Sequence, residues 1–135
     1  MKYMDIAIKL AEKAYEMDEI PVGAVIVKDN KIVSKGYNNR HSKNNVLGHA
    51  EVIAILKAQK KLNSWRLTEC EMYVTLKPCE LCEKIIKEAR ISKVYYLVDK
   101  PLNKKGYNKT EIEKISDYDD NEYLKKLSTF FSNKR

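Results

Sequence analysis

A chain of 135 residues has the size of one domain and buries about two-thirds of the surface its unfolded form exposes, so it needs no disulfide scaffold. Its hydrophobic residues, 44% of the total, are dispersed: no apolar run approaches the roughly 18 residues of a membrane span and the N-terminus has no signal-peptide pattern, which predicts a cytoplasmic protein without membrane contact. Three cysteines in such a chain favour metal binding or catalysis over disulfides, and the net charge of +7 fits a polyanionic partner or, equally, a lysine-rich compositional bias.

Met4, Ala7, Ile8, Ala11, Ala14 and Tyr15 recur at helical spacing and predict a first helix over 4–17, ended before Pro21. Residues 22–27 are rich in β-branched side chains, Asp29-Asn30 is turn chemistry, and Ile32-Val33 resumes the apolar run, so the stretch reads as a hairpin. A polar, irregular segment over 36–48 precedes a helix over 50–59 carrying Ala50, Ile53, Ala54 and Lys57. Residues 72–76 read as a buried strand, and 79–90 as a helix with Cys82, Ile85, Ile86 and Ala89 on one face and Pro78 in its first turn. A strand over 94–98 completes a strand, helix, strand unit, which implies parallel pairing through a helical crossover. A basic loop over 101–109, a weak strand over 112–115 and a last helix capped by Asp119, with Tyr123, Leu124, Leu127 and Phe131 on one face, follow. The expected fold is α/β: a three-layer α/β/α sandwich with a mixed five-stranded sheet, as a single domain over 1–135.

Two short motifs carry the chemistry: His49-Ala50-Glu51 opens one helix and Pro78-Cys79-Glu80-Leu81-Cys82 opens another. Cysteines three apart at a helix start share a face, and the helix dipole lowers thiol pKa, so both are expected as thiolates at neutral pH. Cys-x-x-Cys alone fits a redox pair or half a metal site. The histidine discriminates, because a redox pair has no use for it. Closed structural zinc sites take four protein ligands, and only Cys70 or His41 offers a fourth; Cys70 reads as a small core residue and His41 as a solvated loop residue. Three ligands leave one position open, where zinc lowers the pKa of a bound water to about 7 and makes a hydroxide nucleophile. His49 and Glu51 share a site only if they straddle the irregular helix start, which would set Glu51 beside the zinc water as the proton carrier. Trp65 and the tyrosines could stack bases, but core packing or ordinary exposure is the expectation for most of them, and only Tyr37 stands near enough to a motif to be of interest.

With these residues in hand, the sequence resembles the bacterial tRNA-specific adenosine deaminases of the cytidine deaminase-like superfamily. The likeness rests on the His-x-Glu and Pro-Cys-x-x-Cys pair, on Ile20-Pro21-Val22-Gly23-Ala24-Val25, Gly36-Tyr37-Asn38, Ser64-Trp65-Arg66-Leu67 and Tyr73-Val74-Thr75-Leu76, and on the terminal Leu127-Ser128-Thr129-Phe130-Phe131. It implies Zn2+ held by His49, Cys79 and Cys82, with Glu51 catalytic. It also implies deamination of adenosine to inosine at the wobble position of a tRNA anticodon stem-loop, a homodimer, and a base pocket drawn from Asn38, Val22, Ala50 and Leu76. Three departures bear on substrate choice: Lys77 replaces an acidic residue before Pro78, Val46-Leu47-Gly48 replaces a Pro-Thr-Ala type sequence, and the segment after Asp99 is short, with Lys100 at a usually acidic position. Two alternatives stand beside this reading. One is a deaminase of small nucleobases or nucleosides of the cytosine or guanine type, favoured by the short segment. The other is a non-catalytic RNA-binding subunit that keeps zinc for stability, in which Glu51 would be dispensable.

Overall fold

In the computed structural model, residues 2–99, 110–117 and 119–133 are described. The chain divides into two compact units, Met1–Leu102 and Asn103–Arg135. The first contains α1 (Lys2–Glu16), β1 (Gly23–Lys28), β2 (Lys31–Tyr37), α2 (Ala50–Leu62), β3 (Glu71–Leu76), α3 (Glu80–Glu88) and β4 (Lys93–Val98). The second contains α4 (Asn121–Asn133).

The strands lie in the order β2-β1-β3-β4. β1 pairs antiparallel with β2 and with β3, while β3 and β4 are parallel, joined by α3 as the strand, helix, strand pattern requires. Asp29 and Asn30 turn the β1–β2 hairpin with φ of 51° and 61°, the left-handed pair of a two-residue turn that Asp and Asn tolerate better than most residues. The central strand β1 is buried on both faces, and its alternation sorts the core into two layers. Ala24 and Ile26 join Met72 and Val74 of β3 beneath Ala50, Ala54, Ile55 and Ala58 of α2 and Ile86 of α3. Val25 and Val27 face the other way, against Met4 and Ala7 of α1. This is the expected three-layer α/β/α arrangement.

Small residues let the helices approach the sheet closely. A Cβ on Gly23 would meet the Ala7 carbonyl and come within 2.8 Å of the Ala11 nitrogen, and one on Gly36 would meet the Ala50 carbonyl and come within 2.9 Å of the Ala54 nitrogen. Ser34, buried in β2, donates its hydroxyl to the Ala54 carbonyl at 2.6 Å and ties the same strand to α2. Side chains fully withdrawn from water, such as Ile26, Leu67 and Met72, contribute about 1.5–3 kcal/mol each. The ion pairs Glu80–Lys84, Glu83–Lys87 and Glu88–Arg90, at 3.1–3.8 Å and largely exposed, contribute about 0–1 kcal/mol each. Apolar layering therefore holds the first unit together.

Three expectations are corrected. Among the described residues the sheet has four strands, because Ile112 and Ile115 lie in exposed chain without strand pairing. Isoleucine-rich composition there has no partner strand to make a ladder, and composition alone cannot supply one. Pro78 precedes the α3 N-cap Cys79 and so lies before the first turn, not in it. Leu124 and Phe131, whose shared apolar face predicts core packing, are 50% and 62% exposed, although α4 itself forms, with Asp119 accepting the Asn121 amide at 3.1 Å. The basic loop over 101–109 and Lys100 lie outside the described residues. No helix among the described residues is long and apolar enough to cross a membrane.

Candidate metal centre

His49 is the N-cap of α2 and Cys79 the N-cap of α3, and both have extended backbone, at φ −89° with ψ 140° and φ −68° with ψ 169°. Neither side chain caps its own helix as an N-cap normally does. Their ligand atoms and the Cys82 sulfur all lie within 4.8 Å of one another. The extended N-cap also explains how residues two apart reach one place: His49 stands outside the helix and Glu51 inside its first turn, so the straddling geometry required of the His-x-Glu motif is met.

Burial divides the group. Cys79 is exposed, Cys82 is fully buried, and Glu51 is 4% exposed. Burial pushes the Glu51 carboxyl above its ordinary value, opposed by hydrogen bonds from its own amide and from the Cys82 thiol. Burial also pushes the Cys82 thiol strongly up, helped by the neighbouring Glu51 and Cys79. At Cys82 burial thus works against the thiolate that the helix dipole favours, and a bound cation would restore it. One imidazole and two thiols, unpaired by any disulfide and converging on one point, fit a borderline-soft ion such as zinc. Neither Cys70 nor His41 joins the group. Cys70 is buried core and His41 is exposed, as the sequence suggests.

Of the residues expected to line a base pocket, Asn38 has the most defined position. Its Oδ1 accepts the Ala50 amide at 2.7 Å, capping the first helical N–H of α2, and its own amide donates to the Val22 carbonyl at 3.2 Å. Val22 and Ala50 are buried together, and Leu76 packs half-buried against the same cluster. Of the four, Asn38 and Ala50 meet directly at the start of α2. The two aromatics singled out from the sequence have cationic neighbours. The Arg66 and Arg90 guanidinium carbons sit 4.6 and 5.5 Å from the centre of the half-exposed Trp65 ring, and the Lys13 nitrogen is 5.0 Å over Tyr37. Lys77 is exposed, with its nitrogen 6.0 Å from the Tyr96 ring centre.

Sequence reasoning missed Glu19. It lies in the turn after α1, is 5% exposed, and accepts the backbone amides of His41 at 3.1 Å and Ser42 at 2.6 Å. No local pattern flags a glutamate whose partners lie 22 and 23 positions downstream.

Comparison with known proteins agrees with this geometry. The profile of the family described as "Cytidine and deoxycytidylate deaminase zinc-binding region" matches residues 1–98. The chain is 47% identical over 92 residues to a tRNA-specific adenosine deaminase of Rickettsia bellii, a match covering 67% of this chain and 63% of that relative, so the chain spans less than two-thirds of it. A solved structure from work on A-to-I editing by tRNA:A34 deaminases at the wobble position of transfer RNA superposes with a TM-score of 0.69 at 39% identity, covering 70% of this chain and 73% of that one. The guanine deaminase of Bacillus subtilis superposes with a TM-score of 0.78 at 28% identity, covering 97% and 92%. With the profile spanning the sheet, both motif-bearing helices and all three convergent donors, the chain belongs to the cytidine and deoxycytidylate deaminase family defined by that zinc-binding region.

Proposed function

We propose that this chain, read as one deaminase domain over 1–135, converts adenosine to inosine at the wobble position of a tRNA anticodon stem-loop. The observation that carries the reading is the convergence of His49, Cys79 and Cys82 beside the buried Glu51. Its likeness to tRNA adenosine deaminases at 39–47% identity supports adenosine in tRNA as the substrate. The proposal includes a homodimer working in the cytoplasm.

His49, Cys79 and Cys82 would hold Zn2+ with one position open, and the ion would supply Lewis acidity that brings the pKa of a water to about 7. Glu51 would take one proton from the attacking water and give it to the ring nitrogen, then take the second proton from the added hydroxyl and give it to the leaving amine. Water adds at the amine-bearing carbon, the carbon–nitrogen bond breaks and ammonia departs, so adenosine plus water gives inosine plus ammonia. A carboxyl raised by burial suits this role, because it can hold each proton between taking it and giving it up. Asn38, its Oδ1 committed to the Ala50 amide, keeps its NH2 group for an acceptor on the base. Val22, Ala50 and Leu76 supply the apolar wall.

The test is incubation of zinc-loaded protein with an anticodon stem-loop and mass-spectrometric detection of inosine. Absence of inosine together with turnover of a free base would overturn the reading. A specific observation favours a second one: the guanine deaminase likeness extends over nearly the whole chain, where the tRNA:A34 deaminase likeness covers 70%. Under that reading free guanine or cytidine is turned over and the stem-loop is not.

A further inference from the structure

The segment 39–48 runs from the strand that ends at Tyr37 to the ligand His49, and it is folded tightly on itself. Asn39 donates its amide to the Gly48 carbonyl at 3.0 Å, closing the mouth of the loop. Inside, Lys43 donates to Asn39 at 2.9 Å, Asn45 to Arg40 at 2.9 Å and Gly48 to Asn45 at 2.9 Å, a single helical turn followed by a tight return. A Cβ on Gly48 would lie 2.6 Å from both the Arg40 nitrogen and Cα, so the return packs directly on the turn. The amides of His41 and Ser42 open that turn, where helical geometry leaves N–H groups without an internal acceptor. Both point out of the loop and donate to the two oxygens of Glu19.

Glu19 is itself held. Its amide donates to the Ala14 carbonyl at 2.9 Å, closing the end of α1 around Asp18, whose φ of 60° is the left-handed helix-ending conformation. The carboxylate is therefore anchored to α1, which packs on the sheet through Met4 and Ala7. The segment 39–48 contains no acidic residue of its own, so no carboxylate within it can replace Glu19. Just outside its two ends stand Asn38, with Oδ1 on the Ala50 amide, and His49.

We propose that Glu19 is a positioning residue for deamination: by clasping two consecutive amides of the loop 39–48 it holds Asn38 and the start of α2 in the arrangement that receives the base. The role rests on the deaminase reading given above. It concerns binding geometry more than the chemical step, because Glu19 touches loop backbone and neither Glu51 nor the three donor residues. Ionisation supports the clasp. Burial works against the charged form, but the hydrogen bonds from Ser42 and His41, with the nearby His41 side chain, outweigh it and hold the carboxyl below its ordinary value.

The test uses the full zinc-loaded chain and Glu19→Gln, which keeps the size of the side chain but offers one acceptor oxygen in place of two. Zinc stoichiometry should stay at the wild-type value. Amide hydrogen exchange should quicken by about tenfold at His41 and Ser42 and across 39–48, with β1 and β3 unchanged. On the stem-loop, or on whichever base the wild type turns over, KM should rise about tenfold with kcat within about twofold. Glu19→Asp, which restores two carboxylate oxygens on a shorter arm, should recover part of both effects, and it carries the same readouts if the Gln variant does not fold. Unchanged loop exchange, an unchanged KM, or a fall in kcat alone would overturn the proposal. A wild type inactive on every base would sink the deaminase reading by itself, and loop exchange in the variants would still decide whether the clasp exists.

Discussion

The two helix starts that meet at the metal centre are built alike and supported differently. Each begins with an extended N-cap residue whose side chain is a donor, His49 at α2 and Cys79 at α3. Around α2 the protein itself fixes the geometry: Asn38 caps the Ala50 amide, Glu19 clasps the preceding loop, and Gly36 and Ser34 seat the helix on β2. Around α3, Cys82 and Ile86 are buried, but the polar contacts at the helix start among the described residues are backbone bonds and exposed pairs: the Lys77 amide on the Val98 carbonyl at 2.9 Å, the Glu83 amide on the Cys79 carbonyl at 2.8 Å and the Glu80–Lys84 pair at 3.6 Å. The difference teaches a division of labour. On the proposed function, the side that would present the proton carrier and the base contact is held by more side-chain bonds from the fold, whereas the side that would supply two sulfurs has more left for a metal to tighten.

The largest effect should come from the metal. Cys82→Ala should abolish bound zinc by elemental analysis and reduce deamination to background. Chelation of the wild type should quicken amide exchange over 80–83 more than over 50–53; equal quickening on both sides would break the comparison. Next, Glu51→Gln should keep full zinc content and lower kcat by about 10² to 10⁴, as loss of a general acid–base does, and a variant with near-normal kcat would remove Glu51 from the chemistry. Gly36→Ala should destabilise by about 1–3 kcal/mol in denaturant unfolding, since the added methyl meets the Ala50 carbonyl in a packed layer. Asn38→Asp sharpens the α2 side further. It keeps the acceptor for the Ala50 amide and removes the two donors, so Tm should change little while KM rises by about tenfold. Smallest of all, Glu80→Ala on the α3 side breaks only a solvent-exposed pair and should leave Tm within about 2 °C.

Much of this was readable in order along the chain because the information is local. Helical spacing marks α1, α2 and α3, the Asp29-Asn30 turn marks the hairpin, and a strand, helix, strand run forces a parallel pair. Where reading failed, the deciding partner was distant or missing. Ile112 and Ile115 have strand composition but join no strand among the described residues, and Leu124 and Phe131 have core composition but are half-exposed. The burial that pushes the Cys82 thiol up was unreadable for the same reason, since desolvation depends on what packs around a thiol and not on its place in a motif.

By itself, then, the sequence determined which atoms can bind zinc and move protons, because imidazole, thiol and carboxylate chemistry belongs to side chains and their short-range spacing. Only the tertiary structure decided that His49, Cys79 and Cys82 converge within 4.8 Å, that Glu51 lies buried beside them, and that Glu19 reaches across 22 residues to clasp the loop before α2. Those facts depend on how α1, the sheet and the two helices pack, and packing is a property of the whole chain in three dimensions.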